Sequence, residues 1–166
     1  MSFMNGSDFL NKMEGEGRLE MVEPSEAVAG AYLGKARDSL RSAKLLLDNG
    51  LYDNSIALSY YVMYDSLTAL LFRVGIKCES HMGSIRLLGE LFGQKRLQDM
   101  IRLAKRERVD KQYYVASAVN IEINRRMAGR LLQEAEEFMT EMRQIMDGLS
   151  NERMEQIRRK LGRLLD

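Results

Sequence analysis

The chain has one proline, one cysteine, one histidine and no tryptophan in 166 residues. A lone cysteine, Cys78, leaves no internal disulfide, and with His81 as its sole soft companion it argues against a structural zinc site. A reducing cytoplasm is the expected setting. With Pro24 the only proline and no run of alternating apolar and polar residues, nothing interrupts helices and nothing calls for a sheet. A dominant charge is missing too: 25 Lys and Arg face 24 Asp and Glu, so net charge neither favours nor excludes nucleic acid, and local distribution must decide. The N-terminus lacks a basic region followed by an apolar run. No charge-free apolar stretch approaches the roughly 18 to 20 residues of a membrane span, so a soluble protein with no membrane partner is expected. There is no glycine-rich phosphate loop, no nucleophile elbow, no HExxH pair and no internal repeat, and no cofactor or metal is expected.

What remains reads as an all-α, up-and-down bundle of about five helices. Its centre is the stretch Tyr52 to Gly75, where Ile56, Tyr60, Met63, Leu67, Leu70 and Val74 follow the four-three spacing of one helical face and further apolar residues cover most of the rest. Residues 1–23 carry Gly6, Gly15 and Gly17 and an acidic excess, with a short apolar set at Phe9, Leu10 and Met13, and read as one or two weak helical turns in an otherwise mobile arm. Residues 24–149 form the bundle. Pro24 suits a first helical position, Asn49-Gly50 stops that helix, and the short link predicts an antiparallel hairpin with the central helix. Ser80 is an N-cap candidate for a helix to Phe92, with Gly93 interrupting before an amphipathic piece from Leu97 to Lys105. A last long helix spans about Ile123 to Gly148. Residues 150–166 form a C-terminal helix whose Met154, Ile157, Leu161 and Leu164 close the bundle or make a dimer interface.

Two places could carry chemistry. Asp65 is a carboxylate in the most apolar helix, so it faces solvent, pairs with a base or belongs to a polar pocket. Between Lys95 and Lys111, seven cations (Lys95, Arg96, Arg102, Lys105, Arg106, Arg108 and Lys111) meet three acids, Asp99, Glu107 and Asp110, and Tyr113 and Tyr114 follow. Cations beside aromatics suit phosphate contacts and base stacking; a solvated helix face is the plain alternative. The stretch Arg106 to Asn120 lacks a clean helical period and reads as a loop or irregular helix end. His81 reads as a local hydrogen-bonding residue beside its cap, and Tyr60, Tyr61 and Tyr64 as core and interface.

The segments AKLLLDNGLYDNSIALSYY, YYVMYDSLTALLFRVGIKCESH and RERVDKQYY resemble the HEPN family, over roughly Pro24 to Phe138. The resemblance implies a helical bundle, commonly a homodimer, in a family where many members are RNA-cleaving toxins or are encoded beside a nucleotidyltransferase antitoxin. In nuclease members an arginine is followed four to six residues later by a histidine. Here Arg106, or alternatively Arg108, matches the arginine. Lys111 stands where the histidine would, with Tyr113 beyond it, and Asp65 falls on the helix that carries the family's polar residue. Histidine shuttles protons near neutral pH, and lysine does so only after a large downward pKa shift. The resemblance therefore implies an RNA- or nucleotide-binding protein paired with a nucleotidyltransferase. Arg106, Lys111 and Asp65 are its reactive candidates, Arg102, Lys105, Arg108, Asp110, Tyr113 and Tyr114 its binding contacts. The alternatives are a metal-independent ribonuclease toxin using Arg106 with Lys111 or His81, and a non-catalytic helical scaffold. Asp65 is expected to meet Arg106 or Arg108, within the chain or across a dimer.

Overall fold

The computed structural model describes the backbone of residues 6–113 and 121–165 and the side chains of 8–109 and 124–165. Along these residues the order is α1 (Gly6–Gly15), β1 (Leu19–Met21), α2 (Glu26–Asp48), α3 (Tyr52–Arg73), β2 (Ile76–Cys78), α4 (His81–Phe92), α5 (Lys95–Tyr113), α6 (Ile121–Asp147) and α7 (Asn151–Leu165). The class is all-α, as expected, with seven helices among the described residues where about five were foreseen.

α3 is the centre of the bundle, packed against α2, α4, α5 and α6. All six residues of its predicted stripe, from Ile56 to Val74, are fully buried. At 22 residues it is long and apolar enough by composition to cross a membrane, yet most of it is buried by the other helices, as in a core helix. α2 approaches it closely because the residues turned toward it are small: Ala29, Ala36 and Ala43, one every seven positions, are buried. The Ser55 hydroxyl donates to the Ala43 carbonyl at 2.8 Å and ties the hairpin near its turn. Asn49 caps α2, and Gly50, with φ of +75°, supplies the left-handed residue that turns the chain into α3. Ser25 rather than Pro24 opens α2, its hydroxyl accepting from the Val28 amide at 3.1 Å. α7 lays Met154, Ile157 and Leu161 against the bundle of its own chain.

Two segments differ from the sequence reading. Where an arm was expected, residues 8–23 are folded onto the bundle. Leu10, Met13 and Leu19 are buried, and β1 pairs antiparallel with β2, matching Leu19 to Cys78 and Met21 to Ile76. Three-residue strands are too short to reveal a period of two, and the apolar set of α1 finds its core only in remote elements. Gly83 makes that docking possible, because a Cβ there would lie 2.6 Å from the Met13 side chain and 2.9 Å from the Cys78 sulfur. Arg158 of α7 then fastens this corner: its Nη1 donates to the carbonyls of Val22, Val74 and Gly75 at 2.7–3.1 Å. The second difference is in α5, which continues as regular helix from Lys95 through Arg106 to Tyr113 instead of breaking into a loop. Its polar residues lie on faces that need no apolar period.

Candidate functional site

Three tyrosines of α3 and the start of α4 form an aromatic cluster. Tyr60, Tyr61 and Tyr64, at i, i+1 and i+4, present rings toward the same end of the bundle. Ser80 caps α4, its hydroxyl accepting from the Gly83 amide at 3.1 Å, and so places His81 at the first helical position. The imidazole lies face to face with Tyr64, centroids 3.8 Å apart, and meets Tyr61 edge-on at 6.5 Å. His81 Nδ1 and the Tyr60 hydroxyl share a hydrogen bond of 2.6 Å, the donor depending on the imidazole tautomer. Either way, Nε2 is the ring nitrogen that Tyr60 does not engage.

α5 supplies the charge. The Arg108 guanidinium lies over two of these rings, 4.9 Å from the centroid of Tyr61 and 5.2 Å from that of Tyr60. His81, Tyr61, Tyr64, Lys105 and Arg108 are all half-buried, so the cluster opens to solvent while Tyr60 forms its floor. Burial, and then the charges of Arg108 and Lys105, hold the His81 pKa below its ordinary value. Burial likewise raises the Tyr60 phenol, against a smaller opposing effect from Arg108, and raises Tyr64. Near neutral pH the cluster thus combines a neutral imidazole, neutral phenols and one permanent cation. A guanidinium over ring faces keeps its in-plane N–H edge available for a phosphate.

The candidates from the sequence are not gathered as expected. Asp65, 1% exposed, faces α2, and its Oδ1 accepts from Lys35 Nζ at 3.1 Å. Its partner within the chain is therefore Lys35, not Arg106 or Arg108. Lys35 extends past the Tyr32 ring with its side chain 63% exposed, while the second oxygen of Asp65 is buried without a hydrogen bond among the described residues. Burial raises the Asp65 pKa and Lys35 opposes the shift. Arg106 is exposed and, two residues from Arg108, points about 200° around α5 from it, away from the aromatic cluster. Glu107 pairs with Arg130 of α6 at 2.6 Å. Arg102 and Lys95 share the Asp99 carboxylate at 3.2 and 3.1 Å, and Arg96 pairs with Glu137 and Glu141. The side chains of Asp110, Lys111 and Tyr113, and Tyr114 altogether, lie outside the described residues. Of the sequence candidates, Arg108 and Lys105 join the cluster, and His81 with its tyrosines takes a larger place than its sequence suggested. Among the described residues no three His, Cys, Asp or Glu side chains converge as a metal site.

The family model of the HEPN domain matches residues 29–145. This chain belongs to the HEPN family. The matched region of this HEPN chain contains the whole aromatic cluster. A UPF0332 protein of Gloeobacter violaceus is 36% identical over 58 residues, 35% of this chain and 46% of the relative. A protein of Methanocaldococcus jannaschii that bears the name "Putative toxin" is 35% identical over 62 residues, 37% of this chain and 46% of its own. A UPF0332 protein of Pyrococcus horikoshii is 44% identical over 52 residues, 31% of this chain and 37% of the relative. The HEPN chain thus matches less than half the length of each of these relatives.

Proposed function

We propose that this HEPN protein is toxin-like and binds RNA or a nucleotide at the Arg108–Tyr61–His81 cluster, in the cytoplasm and as one half of a pair with a nucleotidyltransferase. The observation that carries the reading is the Arg108 guanidinium lying over Tyr61 and Tyr60 beside a neutral histidine. Its N–H edge suits a phosphate oxygen, the half-exposed Tyr61 ring suits an unstacked base, and Lys105 adds long-range attraction. The family and the name of one relative support the toxin-like class. A second copy of the chain, the usual family arrangement, would set two such clusters in one particle.

The reading is tested by the salt dependence of binding to a short single-stranded RNA. Arg108→Ala is expected to weaken binding about tenfold and to reduce the slope of log affinity against log salt by about one. Arg106→Ala, on the other side of α5, is expected to do much less. Equal affinity in wild type and Arg108→Ala would overturn the assignment.

A second reading is that the cluster cleaves RNA. What favours it is the imidazole held neutral next to a fixed guanidinium: in the tautomer whose Nδ1–H donates to Tyr60, Nε2 can accept the proton of a ribose 2′-hydroxyl as its oxygen bonds to phosphorus and the bond to the 5′-oxygen breaks, that oxygen leaving with a proton from water, while Arg108 stabilises the charge that gathers on the phosphorus oxygens. RNA cleavage abolished by His81→Gln, with RNA affinity retained, is the expected signature. Cleavage unaffected by that change would remove His81 from the chemistry.

A further inference from the structure

A separate recess of about 490 Å³ opens between α1, α4 and α5, within the size range of small-ligand sites. Its frame is rigid. Gln98 of α5 is only 6% exposed, and its amide nitrogen donates to the carbonyls of Ile85 and Arg86 of α4 at 3.0 and 3.3 Å, while its Oε1 accepts from Lys95 at 3.3 Å. Gly89 leaves room for this amide, since a Cβ there would come within 2.5–2.7 Å of it. Gln98 therefore holds α4 and α5 in one spacing and has no polar atom idle.

The rest of the lining is chemically uneven. Phe9 of α1 and Met82 of α4 supply an aromatic ring and a thioether, and Met82 is 47% exposed. Arg86 and Glu90, one turn apart on α4, and Arg102 of α5 supply donors and one carboxylate. Arg86 and Glu90 touch only at 3.5 Å, the outer limit of a hydrogen bond, and Arg86 Nε is buried without a partner. Arg86 and Glu90 thus satisfy each other only weakly, while Arg102 places one nitrogen of its guanidinium on Asp99 at 3.2 Å, and the three groups surround a slot with apolar walls.

Guanine is complementary to that set. Its O6 and N7 accept, as arginine requires, and its N1–H and exocyclic amine donate, as a carboxylate requires. Adenine keeps N7 as an acceptor but offers an amine in place of O6 where arginine donates, and a bare N1 where glutamate accepts. The recess and the aromatic cluster are neighbours along α4 and α5: Met82 follows His81, and Arg102 is set about 9 Å along the axis of α5 and about 120° around it from Arg108.

We propose that the α1–α4–α5 recess is a guanine-selective site in which Phe9 and Met82 flank the base, Arg86 and Arg102 donate to O6 and N7, and Glu90 accepts from N1–H and the exocyclic amine. Its use on an RNA strand rests on the phosphate role given above to Arg108; its use by a free nucleotide does not. The full chain is titrated with GMP and with AMP, and separately with an eight-nucleotide uridine RNA carrying or lacking one central guanosine. GMP is expected to bind about tenfold more tightly than AMP, and the guanosine to strengthen RNA binding by a similar factor. Both preferences should vanish in Glu90→Gln, which preserves shape, and in Arg86→Met. Equal affinity for GMP and AMP, or a preference that survives both substitutions, overturns the proposal. Arg108-dependent RNA binding with neither a guanosine advantage nor a GMP preference leaves the phosphate reading standing and removes this one. A GMP preference abolished by Glu90→Gln, in a chain that does not bind the uridine RNA, supports the recess and removes the RNA reading.

Discussion

On the α2 side of α3 the buried ionisable group among the described residues is Asp65, closed over by the hairpin and reached by a single lysine head from outside. On the α4–α5 side the polar groups are the Tyr60 hydroxyl and His81, bonded to each other and open at their edge to Arg108 and solvent. Both sides bury groups that prefer water, and both shift their pKa values by burial, but in opposite senses. Asp65 is driven toward its neutral, protonated form and His81 toward its neutral, deprotonated form. The difference shows where a buried polar group has room for a ligand. Asp65 has a partner within the chain and is covered, whereas the His81 side leaves ring edges and a guanidinium edge unoccupied among the described residues.

The sharpest way to break this contrast is to remove the floor of the open side. Tyr60 is fully buried and holds both His81 and Arg108, so Tyr60→Ala is expected to destabilise the protein by about 3 kcal/mol in urea unfolding. Tyr60→Phe, which keeps the ring and loses only the hydroxyl, should cost about 1 kcal/mol. Equal losses in the two variants would mean that the aromatic packing on that side carries no stability of its own.

The closed side is tested next. Lys35→Met removes the one cation opposing the burial of Asp65, and because Lys35 is mostly exposed the loss is expected to be about 1 kcal/mol at pH 7. The folded state holds the Asp65 proton more tightly than the unfolded chain does. That contribution is fully present below the ordinary carboxylate pKa of about 3.9 and is lost as pH rises through the higher folded value. The variant should therefore match wild type in strongly acidic urea titrations and fall progressively behind toward neutrality. A constant difference at all pH values would show that Lys35 acts through its aliphatic stem.

The smallest effect is expected on His81, the only histidine, whose ring resonances titrate alone in a proton NMR spectrum. Its folded pKa is depressed, so the stability it contributes is present above about 6.5 and is lost as pH falls through the folded value. Burial is the larger cause and Arg108 the second, so Arg108→Ala should move the titration upward without restoring the ordinary value. No movement would separate Arg108 electrostatically from the histidine and weaken the case for a joint site.

Much of the bundle was legible in the chain because its signals are local. The stripe from Ile56 to Val74, the stop at Asn49-Gly50 and the Ser80 cap are statements about residues within one or two turns, and helix period and capping act at that range. The candidate site was legible only in pieces. Arg108 and Lys105 stood out as part of a basic run, but the run did not say which of its cations faces inward. That depended on the rotation of α5 about its axis, set by burial of Leu97, Ile101 and Ala104 against the bundle. His81 carried little signal because its partners lie 17 to 27 residues away on other helices, and Lys35 carried none because an exposed cation on an amphipathic helix is ordinary.

By itself the sequence determined the helical class, the central place of α3, and an ionisable group at position 65 that had to reach solvent, pair with a base or lie in a polar pocket. Tertiary structure alone decided that its partner is Lys35, that residues 8–23 join the core through a strand pair and the space above Gly83, and that His81 and Arg108 meet over the same tyrosines. The physical reason is the range of the forces. Helix formation is settled by neighbours along the chain, whereas desolvation, ring stacking and charge pairing depend on which surfaces are pressed together once the helices pack.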